Sequence, residues 1–181
     1  MRNYRILVTF GLLTAALASL FVLSSASAES SATEAQITRI KANCVSAKNT
    51  LNQIHASDAL LRFNRGQIYE SMTTKLMSRF NSRVEGSNFD AKPLIAVTNT
   101  YGTALINFRS DYISYEEHMS KALGIDCQKE PIAFYDAVAI ARTKRTQVHS
   151  DVVILHQKID DYTAAFNTFL VTFKSVSGEK N

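Results

Sequence analysis

Apolar residues between Pro131 and Val176 recur at alternating steps of three and four, the spacing that lays one stripe along a supercoiled helix. Phe134, Val138, Ala141, Val148, Val152, Leu155, Ile159, Tyr162, Phe166, Phe169, Phe173 and Val176 fall on the series, and only Arg145 interrupts it. Proline suits the first turn of a helix and glycine its end. Pro131 and Ser177-Gly178 therefore bound one helix over 131–176, about 70 Å long. A helix of that length cannot bury its stripe alone.

Earlier in the chain, Ile37, Ile40, Cys44, Ala47, Leu51, Ile54, Asp58, Leu61, Arg65, Ile68 and Met72 form a strict heptad. Steps of four through Leu76, Phe80 and Val84 then mark a stutter. The pattern predicts a helix over 33–84 that starts at Ser31 or Thr33, with a kink at Gly66 or a break at Ser57-Asp58 as alternatives to a continuous rod. Between Glu85 and Asp90 the chain turns: Gly86 suits the left-handed position, Asp90 a cap, and Pro93 the next first turn. A second helix over 91–123 carries Leu94, Tyr101, Leu105, Phe108, Tyr112, Tyr115, Met119 and Ala122, and Gly124 to Lys129 joins it to the third. Short connections between long helices imply antiparallel neighbours. The expected fold is all-α: an elongated antiparallel three-helix bundle with coiled-coil-like packing, running up, down, up, behind an N-terminal signal helix.

That signal is read from residues 1–28. Met1 to Arg5 is basic, Ile6 to Leu23 is apolar and uncharged, and Ala26-Ser27-Ala28 offers a cleavage site between Ala28 and Glu29. The apolar run also approaches the length that spans a bilayer, so an uncleaved anchor is the alternative. The expectation is a single helical domain over 29–181, secreted or in the cell envelope, touching membrane only through residues 6–23 if the signal stays. Removing 1–28 takes away Arg2 and Arg5 and no acid, leaving 18 basic against 16 acidic residues. Such a balance lacks the positive field of a nucleic-acid binder.

Cys44 and Cys127 are the only cysteines, and outside the cytoplasm two cysteines favour one disulfide. Turn arithmetic supports the pairing. With the first turn near Ser87-Asn88, residue x on the first helix faces roughly 177 − x on the second, since both rise equally per residue. Cys127 then lies beside about position 50, within a loop's reach of Cys44. The alternative leaves Cys44 as a half-buried small apolar side chain.

The same arithmetic brings Arg65, Tyr112 and Arg145 to one level, each on its helix's stripe. Arginines aimed at a core need carboxylates. Asp111 and Glu116 flank Tyr112 and are the expected partners, with Glu70 a weaker one. Three readings follow: a polar layer that fixes helix register, an anion or small-ligand pocket lined by Arg65, Arg145, Tyr112 and Tyr115, or arginines that snorkel out to solvent.

No catalytic constellation is found. His149 and His156 are seven apart, too far to share an ion; His156 and Asp160 read as a surface pair, and His55 and His118 stand alone. There is no Glu-x-x-His, no Gly-x-Ser-x-Gly, no Gly-rich phosphate loop and no His-Glu-x-x-His. No cofactor or metal is expected. Arg142-Thr143-Lys144-Arg145, level with Arg62 and Arg65, forms a basic band that either meets an anionic polymer or lipid headgroup or is neutralised by Asp111, Glu116 and Glu117. Ile140 and Ile154 share a face off the third helix's stripe, as scattered exposures or as a seat for a partner helix. The first functional expectation is a non-enzymatic structural or interaction module with an unidentified protein or envelope partner. The alternatives are the Arg/Tyr ligand-binding bundle and a membrane-anchored coiled coil.

Overall fold

Thr33 opens the first helix with a capping box: its hydroxyl accepts from the Gln36 backbone N–H while the Gln36 side chain accepts from the Thr33 N–H. From there the computed structural model describes residues 33–178, all within the unit Ala32–Asn181. The expected signal, its apolar run and the Ala28–Glu29 junction lie outside the described residues. Helix α1 spans Glu34–Ser71, and a π-helical segment at Met72–Met77 leads into α2 at Ser78–Gly86. Helix α3 spans Lys92–Gly124 and α4 spans Pro131–Ser177. No strand occurs among the described residues, and none of their helices is long and apolar enough to cross a membrane.

The three long helices pack together as a bundle. Asp58 of α1 meets Tyr115 of α3, and Glu70 meets Arg109, so α1 and α3 run in opposite directions. Asp58 also meets Arg145 of α4, and Tyr69 meets His156, so α1 and α4 run the same way. Both of those pairs differ by 87 in residue number, which fixes the register of α1 against α4.

The first turn departs from expectation. Gly86 stays helical, and Asn88 takes the left-handed backbone at φ 62°, a conformation that asparagine tolerates better than most side chains. Asp90 accepts from the Lys92 N–H through Oδ1, and Pro93 lies in the first turn of α3. At the other end Cys44 and Cys127 are bridged, with their Cα atoms 5.6 Å apart, against buried Phe134. Lys48 Nζ donates to the Ile125 carbonyl and Gln128 Nε2 to that of Lys41, tying this turn to α1.

Helix α1 is continuous through Ser57, Asp58 and Gly66, but its buried face leaves the heptad beyond Asp58. Leu61, Arg65, Ile68 and Leu76 are exposed, whereas Gly66, Tyr69, Met77, Asn81 and Val84 are buried. A straight helix drifts about 20° per heptad against a strict 3.5 repeat, and the π turn after Met72 adds a further offset. The Tyr69 carbonyl, at the edge of that turn, accepts the Tyr101 hydroxyl at 3.0 Å. Beyond it Asn81 donates to Thr98 and accepts from Tyr162, both at 2.8 Å, joining α2, α3 and α4 through a buried polar contact. The last turns of α4 run past this packing, leaving Val176 exposed and Phe173 only partly covered.

Candidate functional site

The three long helices converge on Asp58. Arg145 Nε and Nη2 donate to its two carboxylate oxygens at 2.6 and 2.9 Å, a bidentate fork. The Tyr115 hydroxyl donates to Oδ2 at 2.7 Å. Burial pushes the Asp58 carboxyl up, but the Arg145 and Tyr115 hydrogen bonds and the Arg145 charge outweigh it and hold the group below the ordinary carboxylate range. The Tyr115 hydroxyl is pushed up by burial first and by Asp58 second, so it stays a neutral donor.

One turn further along α1, Arg62 lies over two rings of α3, its Cζ 5.2 Å from the Phe108 centroid and 5.4 Å from that of Tyr112. Gly66 makes this possible: a Cβ there would overlap Arg62 Nη1. Arg62 Nε is buried and finds no hydrogen-bond acceptor. An unpaired buried donor of a charged group is costly, and the stacking of the guanidinium on Phe108 and Tyr112 offsets part of that cost.

Around these groups lies a cavity of about 510 Å³ between α1, α3 and α4. Its aromatic wall is Tyr69, Phe108, Tyr112 and Tyr115, and Leu61, Val148 and Val152 add aliphatic surface. Arg62, Arg65, Arg142 and Arg145 line it together with Thr146 and His149, against one carboxylate, Asp58. Since Arg145 spends its charge on Asp58, three guanidinium groups face the cavity without a carboxylate of their own among its walls. This gives a positive field over an apolar, aromatic floor, the combination that suits a flat or apolar body bearing an anionic group.

Of the residues singled out by sequence, Arg65, Tyr112, Tyr115 and Arg145 line this cavity, and Asp111 and Glu116 do not. The expected carboxylate partners are also corrected. Arg145 takes Asp58, Glu70 takes Arg109, and Arg65 is exposed with no ion pair among the described residues. Glu116 binds His55 Nε2 at 2.6 Å and, with burial, keeps the Tyr112 hydroxyl protonated well above its usual range. Asp111 instead faces Asp151 of α4, which burial first and Asp111 second push up to about 6. The reason is rotational: Asp111 and Glu116 flank Tyr112 on opposite sides of α3, one turned to α4 and the other to α1.

Sequence reasoning missed Asp58, Arg62 and Arg142 as cavity residues. Asp58 carried a signal, a charge on an otherwise apolar stripe. His156 meets the Tyr69 hydroxyl at 3.1 Å, and the described ion pairs do not include one with Asp160. Among the described residues no group of three or more His, Cys, Asp or Glu side chains is placed to hold a metal ion. Compared with known protein families, characterised proteins and solved structures, the chain matches none of them.

Proposed function

We propose that the protein is a non-enzymatic binding bundle that takes a small organic anion with a flat or apolar body into the cavity between α1, α3 and α4. The observation that carries this reading is the lining of that cavity: Arg62, held over Phe108 and Tyr112, stands with Arg65 and Arg142 and without a carboxylate partner among the walls. A polar layer that served only to fix register would satisfy its donors internally, as Asp58, Tyr115 and Arg145 do. The sequence placed an interaction module first and a ligand-binding bundle second; the geometry at Arg62 favours the reverse order.

The coiled-coil-like character of the packing and an exported location belong to the same proposal, supported by the Cys44–Cys127 bridge, which persists in oxidising compartments. Titration with 8-anilinonaphthalene-1-sulfonate tests it. The probe is expected to bind saturably at one site. Arg62→Met and Arg65→Met together are expected to weaken it at least tenfold, while uncharged N-phenyl-1-naphthylamine binds both proteins alike and weakly. Equal binding of the charged and uncharged probes would remove the proposal.

The interaction-module reading keeps one observation of its own: Ile140 and Ile154, two heptads apart on α4, are 46% and 42% exposed.

A further inference from the structure

A second cavity of about 460 Å³ lies between α1 and α4 on the disulfide side of the first. Its walls are mostly apolar, with Ile40, Ala47, Leu51 and Ile54 from α1 and Phe134 and Val138 from α4, and Asn43, Thr50 and Tyr135 add polar groups. No carboxylate lines it, and its charged members are Arg39 and Arg142. Arg142 borders both cavities. The register of α1 against α4 places the two in line, because Arg142 lies opposite about position 55, between Ile54 of the second cavity and Asp58 of the first. Between its two helical walls the second cavity runs the eight residues from Phe134 to Arg142, roughly 12 Å at the α-helical rise, with the Arg39 end of α1 reaching beyond.

Here α1 and α4 meet through Asp58–Arg145 and Tyr69–His156 and leave mostly apolar walls facing each other below. The sequence of environments along the seam is therefore fixed: a greasy slot, then Arg142, then the arginine-lined cavity. We propose that the two cavities form one site for a single-chain anionic amphiphile, with the acyl or alkyl chain in the slot between Leu51 and Val138 and the carboxylate or phosphate head beyond Arg142, in the arginine-lined cavity. This deepens the anion-binding proposal by naming the ligand class, and it rests on that reading for the head.

The chain makes a quantitative demand. Each methylene moved from water into an apolar slot tightens binding by up to about fourfold. On the disulfide-bonded protein, butanoate, octanoate and dodecanoate, each below its micellar concentration, are expected to displace 8-anilinonaphthalene-1-sulfonate with affinities rising at least a hundredfold across the series. Dodecyl phosphate and dodecanoate arms distinguish the two head groups, and tight binding of either supports the site. Dodecanol is expected to bind at least tenfold more weakly than dodecanoate. Ala139 lines the slot from an exposed position, so Ala139→Trp obstructs it without burying new bulk in the core. It should weaken dodecanoate at least tenfold and leave the sulfonate probe unchanged.

If dodecanoate binds no more tightly than butanoate while the sulfonate probe still binds, the amphiphile proposal fails and the small-anion reading stands. If neither binds, both fail. Dodecanol binding as well as dodecanoate would overturn the assignment of the head to the arginines.

Discussion

Replacing Asp151 by asparagine should make the protein more stable at neutral pH and leave it unchanged in acid. Asp151 is only 4% exposed and its Oδ2 finds no donor, while Gln147 reaches Oδ1 weakly at 3.5 Å. Burial and the facing Asp111 carboxylate raise its pKa from 3.8 to about 6. A raised carboxyl pKa means that folding favours the protonated form. The contribution is fully present below about 3.8 and is lost as the pH climbs through about 6. A shift of about two units corresponds to roughly 3 kcal/mol at pH 7.5. Asparagine keeps the shape and removes the charge, so Asp151→Asn should recover up to that amount, about 10 °C in melting temperature for a domain of this size. Urea denaturation of both proteins at pH 4 and pH 7.5 provides the comparison. Asp111→Asn should give a smaller gain, because the burial of Asp151, the larger cause, remains, and the double variant less than the sum, because the one repulsion is relieved by either change. A variant no more stable than the parent at pH 7.5, or one equally stabilised at both pH values, would refute the reasoning.

Asp58 should behave in the opposite sense. Its carboxyl is held low, so its contribution exists above the ordinary value near 3.8 and disappears as the pH falls. Asp58→Ala should cost about 1–2 kcal/mol at pH 7, mostly through the orphaned Tyr115 hydroxyl, since Arg145 is half-exposed; chemical denaturation at pH 7 and pH 3 should show the penalty shrinking in acid. Reducing Cys44–Cys127, or replacing Cys127 with serine, should lower stability by about 3–5 kcal/mol in the chain-entropy account, read as a large fall in melting temperature under dithiothreitol. Tyr101→Phe leaves the Tyr69 carbonyl without its hydroxyl donor. It should cost about 1 kcal/mol and speed amide exchange through Met72–Met77 before it affects α4.

The helices and their turns could be read from the chain because the signals are local. Thr33 and Pro131 open helices, Gly178 ends one with a left-handed backbone, and the apolar stripes of α3 and α4 need only spacing. Turn arithmetic reached the cysteine pair because a constant rise per residue is all it needs. The face of α1 beyond Asp58 could not be read in this way. Leu61 and Ile68 are apolar and Arg62 and Gly66 are not, so type and spacing favoured the wrong edge. What turns Arg62 inward is a pair of rings on α3 and the missing side chain of Gly66, a tertiary cause with no local trace. The register of α1 against α4 was misread too: the offset of 87 puts Arg145 opposite Asp58, so Arg65 lies seven residues, roughly 10 Å, further along rather than level with it; the carboxylate partners were missed because height along an axis says nothing about rotation around it. Gly86 failed for a related reason: both glycine and asparagine take the left-handed position, and here Asn88 does.

The proposed anion site between α1, α3 and α4 places its ligand beside the Arg62 guanidinium, over Phe108 and Tyr112. Its most direct test follows the arginine Nε–Hε resonances by NMR as naphthalene-1-sulfonate is added. The Arg62 signal should move saturably, with Arg142 and Arg65 moving less and at the same midpoint. Saturable shifts confined to arginines outside the cavity, such as Arg83, with Arg62 unmoved, would contradict it.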